Sequence, residues 1–354
     1  MHVLVTGATG NVGWAVMSQL LGDPRITRVT GVARRPPPDP PAGTHWIAAD
    51  VGVSSLRPMM EGVDAVIHLA WAIQPSRDRA ATRRTNVLGS ARVAQAAADV
   101  GVPALIHASS VGVYSPGPKD RAVDESWPRE GVRTSFYARD KVEAERGLDR
   151  VARVHPNTRI VRMRPGLIFS RQAATGVRRL FLGPAVPRAL LRPSRIPVVP
   201  DIAGLRFQAL HTRDAARAYL EAVVRDVEGA FNIAADPVLE PRVLAAALGA
   251  RMVRVPPRLV RGAMAATWRA GIQPTPEGWL DLALGVPLMD CSRAHRQLEW
   301  EPTVPSTEAV LELLTGMADG AGAPTPPLAP VAGGAEEDSG MVRAGWLSGL
   351  GRSG

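Results

Sequence analysis

The chain reads as an α/β protein with a doubly wound parallel sheet, a smaller C-terminal lobe and a disordered tail. Three observations predict it. Strand-length apolar runs alternate with stretches of helical period up to about residue 165, a glycine cluster directly follows the first run, and from residue 319 the composition shifts to Gly, Ala and Pro.

The 354 residues exceed one compact unit of roughly 100 to 200, which leaves room for the second lobe. With 45% hydrophobic and 21% charged residues the composition is that of an ordinary globular protein. The single cysteine, Cys291, excludes an intramolecular disulfide and a cysteine-based zinc cluster. No apolar run reaches the roughly 18 to 20 residues of a membrane span, so no integral membrane segment is expected. The net charge of +9 is nearly all arginine, Lys119 and Lys141 being the only lysines. The arginines are scattered without an aromatic-interleaved stripe, so no nucleic-acid partner is expected. They concentrate only at residues 177–195, a stretch open to an anionic substrate, a membrane surface or solvent alone.

Residues 2–6 form the first strand at once, with no charged and apolar leader, so the expected location is the cytoplasm. Trp14, Met17, Leu20 and Leu21 then recur at helical spacing, and Gly22-Asp23-Pro24 stops the helix. Strands follow at 26–33, 45–49 and 65–70. Val87, Ala91, Ala94 and Ala98 make one helical face; a strand at 104–109, a helix over 137–154 and a strand at 159–163 complete the alternation. Prolines break the pattern from Pro165 onward, where an enzyme of this design would carry substrate-specific insertions. A helix at 211–225, a strand at 230–234 and helices at 241–248 and 305–314 precede the tail. The resulting division is a nucleotide-binding domain over 1–165 with returns near 206–235, a substrate lobe from 166–205 and 236–318, and the tail at 319–354.

The glycine cluster is Thr6-Gly7-Ala8-Thr9-Gly10-Asn11-Val12-Gly13, between a strand and a helix. Gly7 permits a tight turn, Gly10 lets the backbone approach a pyrophosphate, and Gly13 lets the helix pack close to the strand, while the helix N-terminus offers free N–H groups. This context predicts a dinucleotide site. The second strand ends Val32-Ala33-Arg34-Arg35, where an acid would bind the ribose hydroxyls of NAD; Arg34 or Arg35 would instead hold a 2′-phosphate, which favours NADP over NAD unless both lie on a solvated loop. Asp50 and Val51 stand where a carboxylate and an amide could meet the adenine edge. Tyr137 and Lys141, four residues apart on a predicted helix, share one face, and an ammonium beside a phenol favours the phenolate. Ser109 and Ser110 end the preceding strand.

Together with His68-Leu69-Ala70, Asn86-Val87-Leu88-Gly89 and Arg164-Pro165-Gly166, these motifs resemble the extended branch of the short-chain dehydrogenase/reductases, the NAD(P)-dependent epimerase/dehydratase family, over about residues 1 to 315. His211-Thr-Arg-Asp214, Phe231-Asn232-Ile233 and Leu298-Glu-Trp300-Glu-Pro302 are similar to its C-terminal half. The resemblance implies a Rossmann-like fold. It implies Gly7, Thr9, Gly10, Asn11, Val12, Gly13, Asp50 and Val51 at the cofactor, Ala70 and Pro165 beside the nicotinamide, and Ser110 bonding the reacting oxygen, while Arg34 joins the cofactor residues on the residue reading alone, against the family's usual acid there. It further implies Tyr137 as acid/base, Lys141 on the ribose and Asn86 supporting the active-site network. The sequence departs from the pattern at Trp71, where many relatives carry a small residue, and at Val111-Gly112, where dehydratases carry an acidic pair.

The implied activity is an oxidoreductase or epimerase moving hydride at a hydroxyl or carbonyl carbon of a nucleotide-sugar or related small molecule. An NADPH-dependent carbonyl reductase and a non-catalytic dinucleotide-binding regulator are the alternatives, and a homodimer is an open assembly. His68, His107 and His211 read as packing residues rather than metal ligands.

Overall fold

In a computed structural model of the protein, residues 1–74, 76–183 and 186–330 are described. The expected tail thus lies outside the described residues from 331 onward. Seven strands form the main sheet: β1 (His2–Thr6), β2 (Arg28–Ala33), β3 (Thr44–Ala48), β4 (Ala65–His68), β5 (Ala104–Ala108), β6 (Arg159–Pro165) and β7 (Gly229–Ile233). All pairings are parallel, in the order β7-β6-β5-β4-β1-β2-β3. The order reverses between β1 and β4, so a crevice opens at the carboxyl ends of those two strands. Their residues Val3, Leu4, Val5, Val66 and Ile67 are fully buried, as strands covered by helices on both faces require.

Of the helices among the described residues, those the site depends on are α1 (Asn11–Leu21), α2 (Ser90–Asp99), α3 (Phe136–Val154), α4 (Ala174–Phe181), α5 (Thr212–Val224), α6 (Gly278–Gly285) and α7 (Ser306–Asp319). The helical face read at 87–98 is interrupted. Arg79–Arg83 is α-helical, Arg84–Gly89 widens into a π-turn, and α2 follows. Leu167–Phe169, Phe207–His211 and Ala235–Leu239 form a second, three-stranded sheet, none of whose strands the sequence reading contained.

The C-terminal motifs meet in space. Asp214, at the start of α5, accepts hydrogen bonds from the Thr303 and Val304 amides, each at 2.9 Å, and the Trp300 indole donates to the Asp214 carbonyl at 2.9 Å. On the other side the Tyr114 hydroxyl donates to Asn232 Oδ1 on β7 at 2.6 Å. A buried ion pair fastens α3 to β6: Arg164 Nη2 lies 2.7 Å and Nε 2.9 Å from the Glu145 carboxylate.

The expected tail boundary at 319 is too early. Residues 320–330 return over the glycine cluster, where the buried Thr325 hydroxyl donates to the Thr9 carbonyl at 2.9 Å. Ala321 accepts from the Thr175 amide at 3.1 Å, and the buried Leu328 packs so near Gly176 that a Cβ there would lie 2.7 Å away. Alanine and proline serve this segment because it docks on neighbours and needs no periodic apolar face of its own. Leu328→Ala should lower the stability of the fold by about 2 to 5 kcal/mol, the cost of truncating a well-packed leucine. Urea denaturation measures it, and an unchanged midpoint would mean that the segment does not dock.

Candidate active site

Tyr137, Lys141 and Glu145 follow one another at four-residue intervals along α3, so one face of that helix carries all three. Ser135 caps the helix through its hydroxyl, which accepts from the Ala138 amide at 3.4 Å. Ser110 stands two residues past the end of β5, and its Oγ accepts from the Gly112 amide at 3.0 Å. Gly112 is required small here: a Cβ would stand 3.2 Å from Tyr137 Cε1 and 3.4 Å from Ser110 Oγ. Ser110, Tyr137 and Lys141 are therefore brought together, at the carboxyl end of the sheet.

The expectation that Lys141 lowers the Tyr137 phenol is not met. Burial raises its pKa, and the Ser110 hydrogen bond only partly opposes that. The ammonium is turned elsewhere, donating to the Ala108 carbonyl at 2.6 Å and lying 3.4 Å from the Trp71 ring centroid against 5.7 Å for Tyr137. Burial brings Lys141 itself down to about 7, although the Glu145 and Asp140 charges pull it upward. Glu145 goes the other way: burial opposes its charge, but Arg164, Ser109 and Arg129 outweigh that and hold it at about 2.

Asn86, in the π-turn, does not reach this cluster. Its Oδ1 accepts from the Ala72 amide at 2.7 Å and its Nδ2 donates to the Ala72 carbonyl at 2.9 Å, so it positions the segment that carries Ala70 and Trp71. His68 bonds Thr6 at 2.7 Å and Ser90 at 2.9 Å, and burial keeps it neutral at about 3. His107 packs beside it, ring centroids 5.3 Å apart, and His211 bonds Glu312 at 3.1 Å.

The dinucleotide end is an open cleft of about 180 Å³. Gly7, Thr9, Gly10, Ala33, Arg34, Asp50, Val51 and Ala70 line it, with Trp71 on the side of Tyr137 and Pro327 of the returning segment. Gly7 has φ +72, and a Cβ there would lie 2.6 Å from the Ala70 amide. Bare glycine backbone and the unpaired first-turn amides of α1 fit a pyrophosphate. Asn11, Val12 and Gly13 contribute backbone rather than side chains. Asn11 Oδ1 accepts from Thr212 at 3.0 Å, Val12 packs on the core, and a Cβ on Gly13 would lie 2.3 Å from the Gly7 carbonyl. Asp50 Oδ1 accepts from the Gly52 amide at 2.8 Å, and Pro165, beside Gly166, is buried at the end of β6. Arg34 is exposed at the cleft. Arg35 stands near Arg179, whose pKa is lowered by burial and then by the Arg35 charge. In the basic stretch, Arg178 donates to the Val186 carbonyl at 3.1 Å and Arg192 lies 3.5 Å from Asp319. Sequence reasoning missed Glu145, Trp279 and residues 325–327; only Trp71 carried a signal, as a departure from the family pattern.

Because the Lys141 pKa falls from 10.5 to about 7 on folding, the unfolded chain binds the extra proton between those values. Its contribution to stability is least favourable below about 7 and improves as pH rises toward 10.5. Lys141→Met should therefore gain thermal stability relative to wild type at pH 6 compared with pH 9, by about 3 °C. Melting curves at the two pH values decide it: a difference independent of pH would show that Lys141 keeps its ordinary value.

The model of the NAD dependent epimerase/dehydratase family matches residues 3–234. A protein of uncharacterised function from Mycobacterium tuberculosis is 28% identical over 305 residues, which are 85% of this chain but only 28% of that one, so the chain spans under a third of that relative. An NAD-dependent glucose-6-phosphate dehydrogenase from Haloferax volcanii is 37% identical over 119 residues, 32% of this chain and 45% of that one. UDP-glucose 4-epimerase from Thermus thermophilus, in complex with NAD, shares the fold at 19% identity and a TM-score of 0.66, over 90% of this chain and 99% of that one. No described helix is long and apolar enough to cross a membrane. Since the family model spans more than half of the sequence, from β1 to the residue after β7, the chain belongs to the NAD dependent epimerase/dehydratase family.

Proposed function

We propose that the protein is an NAD(P)-dependent oxidoreductase or epimerase that moves hydride at a hydroxyl or carbonyl carbon of a small molecule. The observation that carries this reading is the meeting of Ser110, Tyr137 and Lys141 beside the dinucleotide cleft. The Thermus UDP-glucose 4-epimerase, whose structure holds NAD, supports the cofactor and hydride chemistry of this kind. A non-catalytic regulator would have no use for three buried polar groups arranged in this way. The residues of 166–205 and 236–318 serve as the substrate lobe, and 1–165 hold the dinucleotide.

The bound nicotinamide supplies or takes the hydride. Gly7 and Gly10 would let the pyrophosphate approach the backbone, with the α1 amides as donors, and Ala70 and Pro165 would border the nicotinamide. Ser110 holds the reacting oxygen by a hydrogen bond. Tyr137, whose raised pKa keeps its proton at neutral pH, donates that proton to a carbonyl oxygen as the carbon is reduced. In the oxidative direction the phenolate form of Tyr137 must take the proton back, which its burial disfavours. Lys141, anchored at Ala108, is placed to bond a ribose hydroxyl. Asn86 acts through Ala72 as a positioning residue.

A second reading, a carbonyl reductase that consumes NADPH, is favoured by Ala33 and Arg34 at the end of β2. Ala33 has no acceptor for the ribose hydroxyls of NAD, and Arg34 faces the cleft.

Tyr137→Phe should retain the fold and dinucleotide binding while turnover falls by about 10² to 10⁴, since only the proton-transfer hydroxyl is lost. Single-turnover rates beside a cofactor titration test this; wild-type rates would remove Tyr137 from the chemistry. NADP(H) should bind more tightly than NAD(H) by roughly tenfold, and Arg34→Ala should erase most of that margin, Arg35→Ala less. Calorimetric titrations of both cofactors at one ionic strength measure the margin. Equal affinities in the wild-type protein would put both arginines in solvent.

A further inference from the structure

The walls beside Tyr137 are aromatic. Trp279 stacks on its ring at 5.0 Å and 36°, and Trp71 meets it edge-on at 5.9 Å and 73°. Phe181 and Phe136 in turn set their edges against Trp279 at 4.9 and 6.3 Å. The two indole Nε1 atoms are buried and have no hydrogen-bond partner. Buried donors without acceptors are uncommon, and two of them against one catalytic ring point to a ligand that brings acceptors.

The polar side chains of the same segments are already committed. Gln74 Nε2 donates to the Leu180 and Pro274 carbonyls at 3.1 and 3.0 Å, and its Oε1 accepts from the Ser76 amide at 2.7 Å. Ser76 donates to Pro274 at 2.8 Å. Gln273 accepts from the Thr275 amide at 2.7 Å and from the Thr275 hydroxyl at 2.6 Å, and donates back to the Thr275 carbonyl at 2.5 Å. These bonds tie Gln74 and Ser76 to the Leu180 and Pro274 backbone and leave the two indole N–H groups as the donors without an acceptor beside Tyr137. Trp279 is also held in place: a Cβ on Gly278 would lie 2.6 Å from the Thr134 carbonyl, so the start of α6 sits directly on the residues before α3.

We propose that the site takes a planar aryl or conjugated carbonyl compound, with Trp71 and Trp279 as the residues that set this specificity. The inference rests on the hydride-transfer reading above and narrows its substrate class. A flat conjugated ketone presents π-faces to the rings and a small number of oxygen acceptors to the indoles. A polyhydroxylated sugar brings many hydroxyl groups that would give up water against ring faces without new partners. In the reaction the carbonyl carbon takes hydride from reduced nicotinamide and its oxygen takes the Tyr137 proton, so the products are the alcohol and oxidised cofactor.

The test compares 9-fluorenone and acetophenone with UDP-glucose and UDP-glucuronic acid, in binding to the cofactor-free protein and in initial rates with NADPH, NADH or the oxidised forms. The aryl ketones should exceed the sugar nucleotides in kcat/KM by about 100-fold. Trp279→Ala should weaken fluorenone binding and raise its KM by about tenfold with cofactor affinity unchanged, whereas Trp279→Phe, which keeps a ring and loses the donor, should lie between. Tyr137-dependent turnover of the sugar nucleotides alone would overturn the inference and leave the hydride-transfer reading intact. Fluorenone binding that depends on Trp279 but gives no Tyr137-dependent reduction would do the reverse. Fluorenone binding unchanged in both Trp279 variants would also overturn the inference.

Discussion

The Glu145–Arg164 ion pair is the constraint on which the candidate site depends. Both side chains are almost wholly buried, at 1% and 2% exposure, so neither charge has water to fall back on. Such a pair is weak evidence of stability, because desolvating two ions offsets much of their attraction, yet breaking it is costly. Its value lies in geometry. The two parallel hydrogen bonds fix the rotation and height of α3 against β6, and Ser109 adds a bond to Glu145 at 2.5 Å from the end of β5. One turn earlier on the same helix Lys141 reaches the Ala108 carbonyl, and one turn before that Tyr137 reaches Ser110. A helix turned by one residue would break all three registrations together.

The same burial that makes this pair exacting sets the acid–base character of its neighbours. A dry environment disfavours whichever form is charged, which raises the Tyr137 phenol and lowers the Lys141 ammonium. Both groups are thereby moved toward their neutral forms, although a general acid needs only its proton and a ribose-binding lysine needs only its N–H donors. Glu145 is the exception because Arg164, Arg129 and Ser109 surround it.

Legibility in the sequence followed contiguity. The glycine cradle, the Tyr137–Lys141 pair and the strand–helix alternation are local patterns, each set by a turn, a helical period or a strand length, and the family resemblance could be carried by their order. The partner of Glu145 lies on another strand, and nothing near residue 145 marks it. Trp279 sits in the irregular lobe, where no period indicates which element it will face. The strands Phe207–His211 and Ala235–Leu239 are short and carry polar residues, so a two-residue alternation does not stand out. Residues 320–330 read as tail because composition reports whether a segment can form its own core, and this one borrows a surface from Thr9, Thr175 and Gly176. The lowered phenol was inferred from spacing alone; spacing gave the shared helix face correctly but could not tell that Trp71 would stand over the ammonium.

Trp71 joins the two halves of the site. It lines the dinucleotide cleft, covers Lys141 and touches Tyr137, while Asn86 pins the adjoining Ala72 backbone by two hydrogen bonds. Lys141 therefore has a carbonyl and a ring face as partners. A ribose hydroxyl that came within its reach would compete with the ring rather than the carbonyl, because losing Ala108 would strand a buried acceptor, whereas losing a cation–π contact strands nothing. Since the backbone beside Trp71 is fixed, relief has to come from its side chain, and any turn of that indole also changes the face it offers beside Tyr137. One side chain thus borders the dinucleotide cleft, Lys141 and Tyr137 together, at the position where the sequence departs from the small residue common in the family.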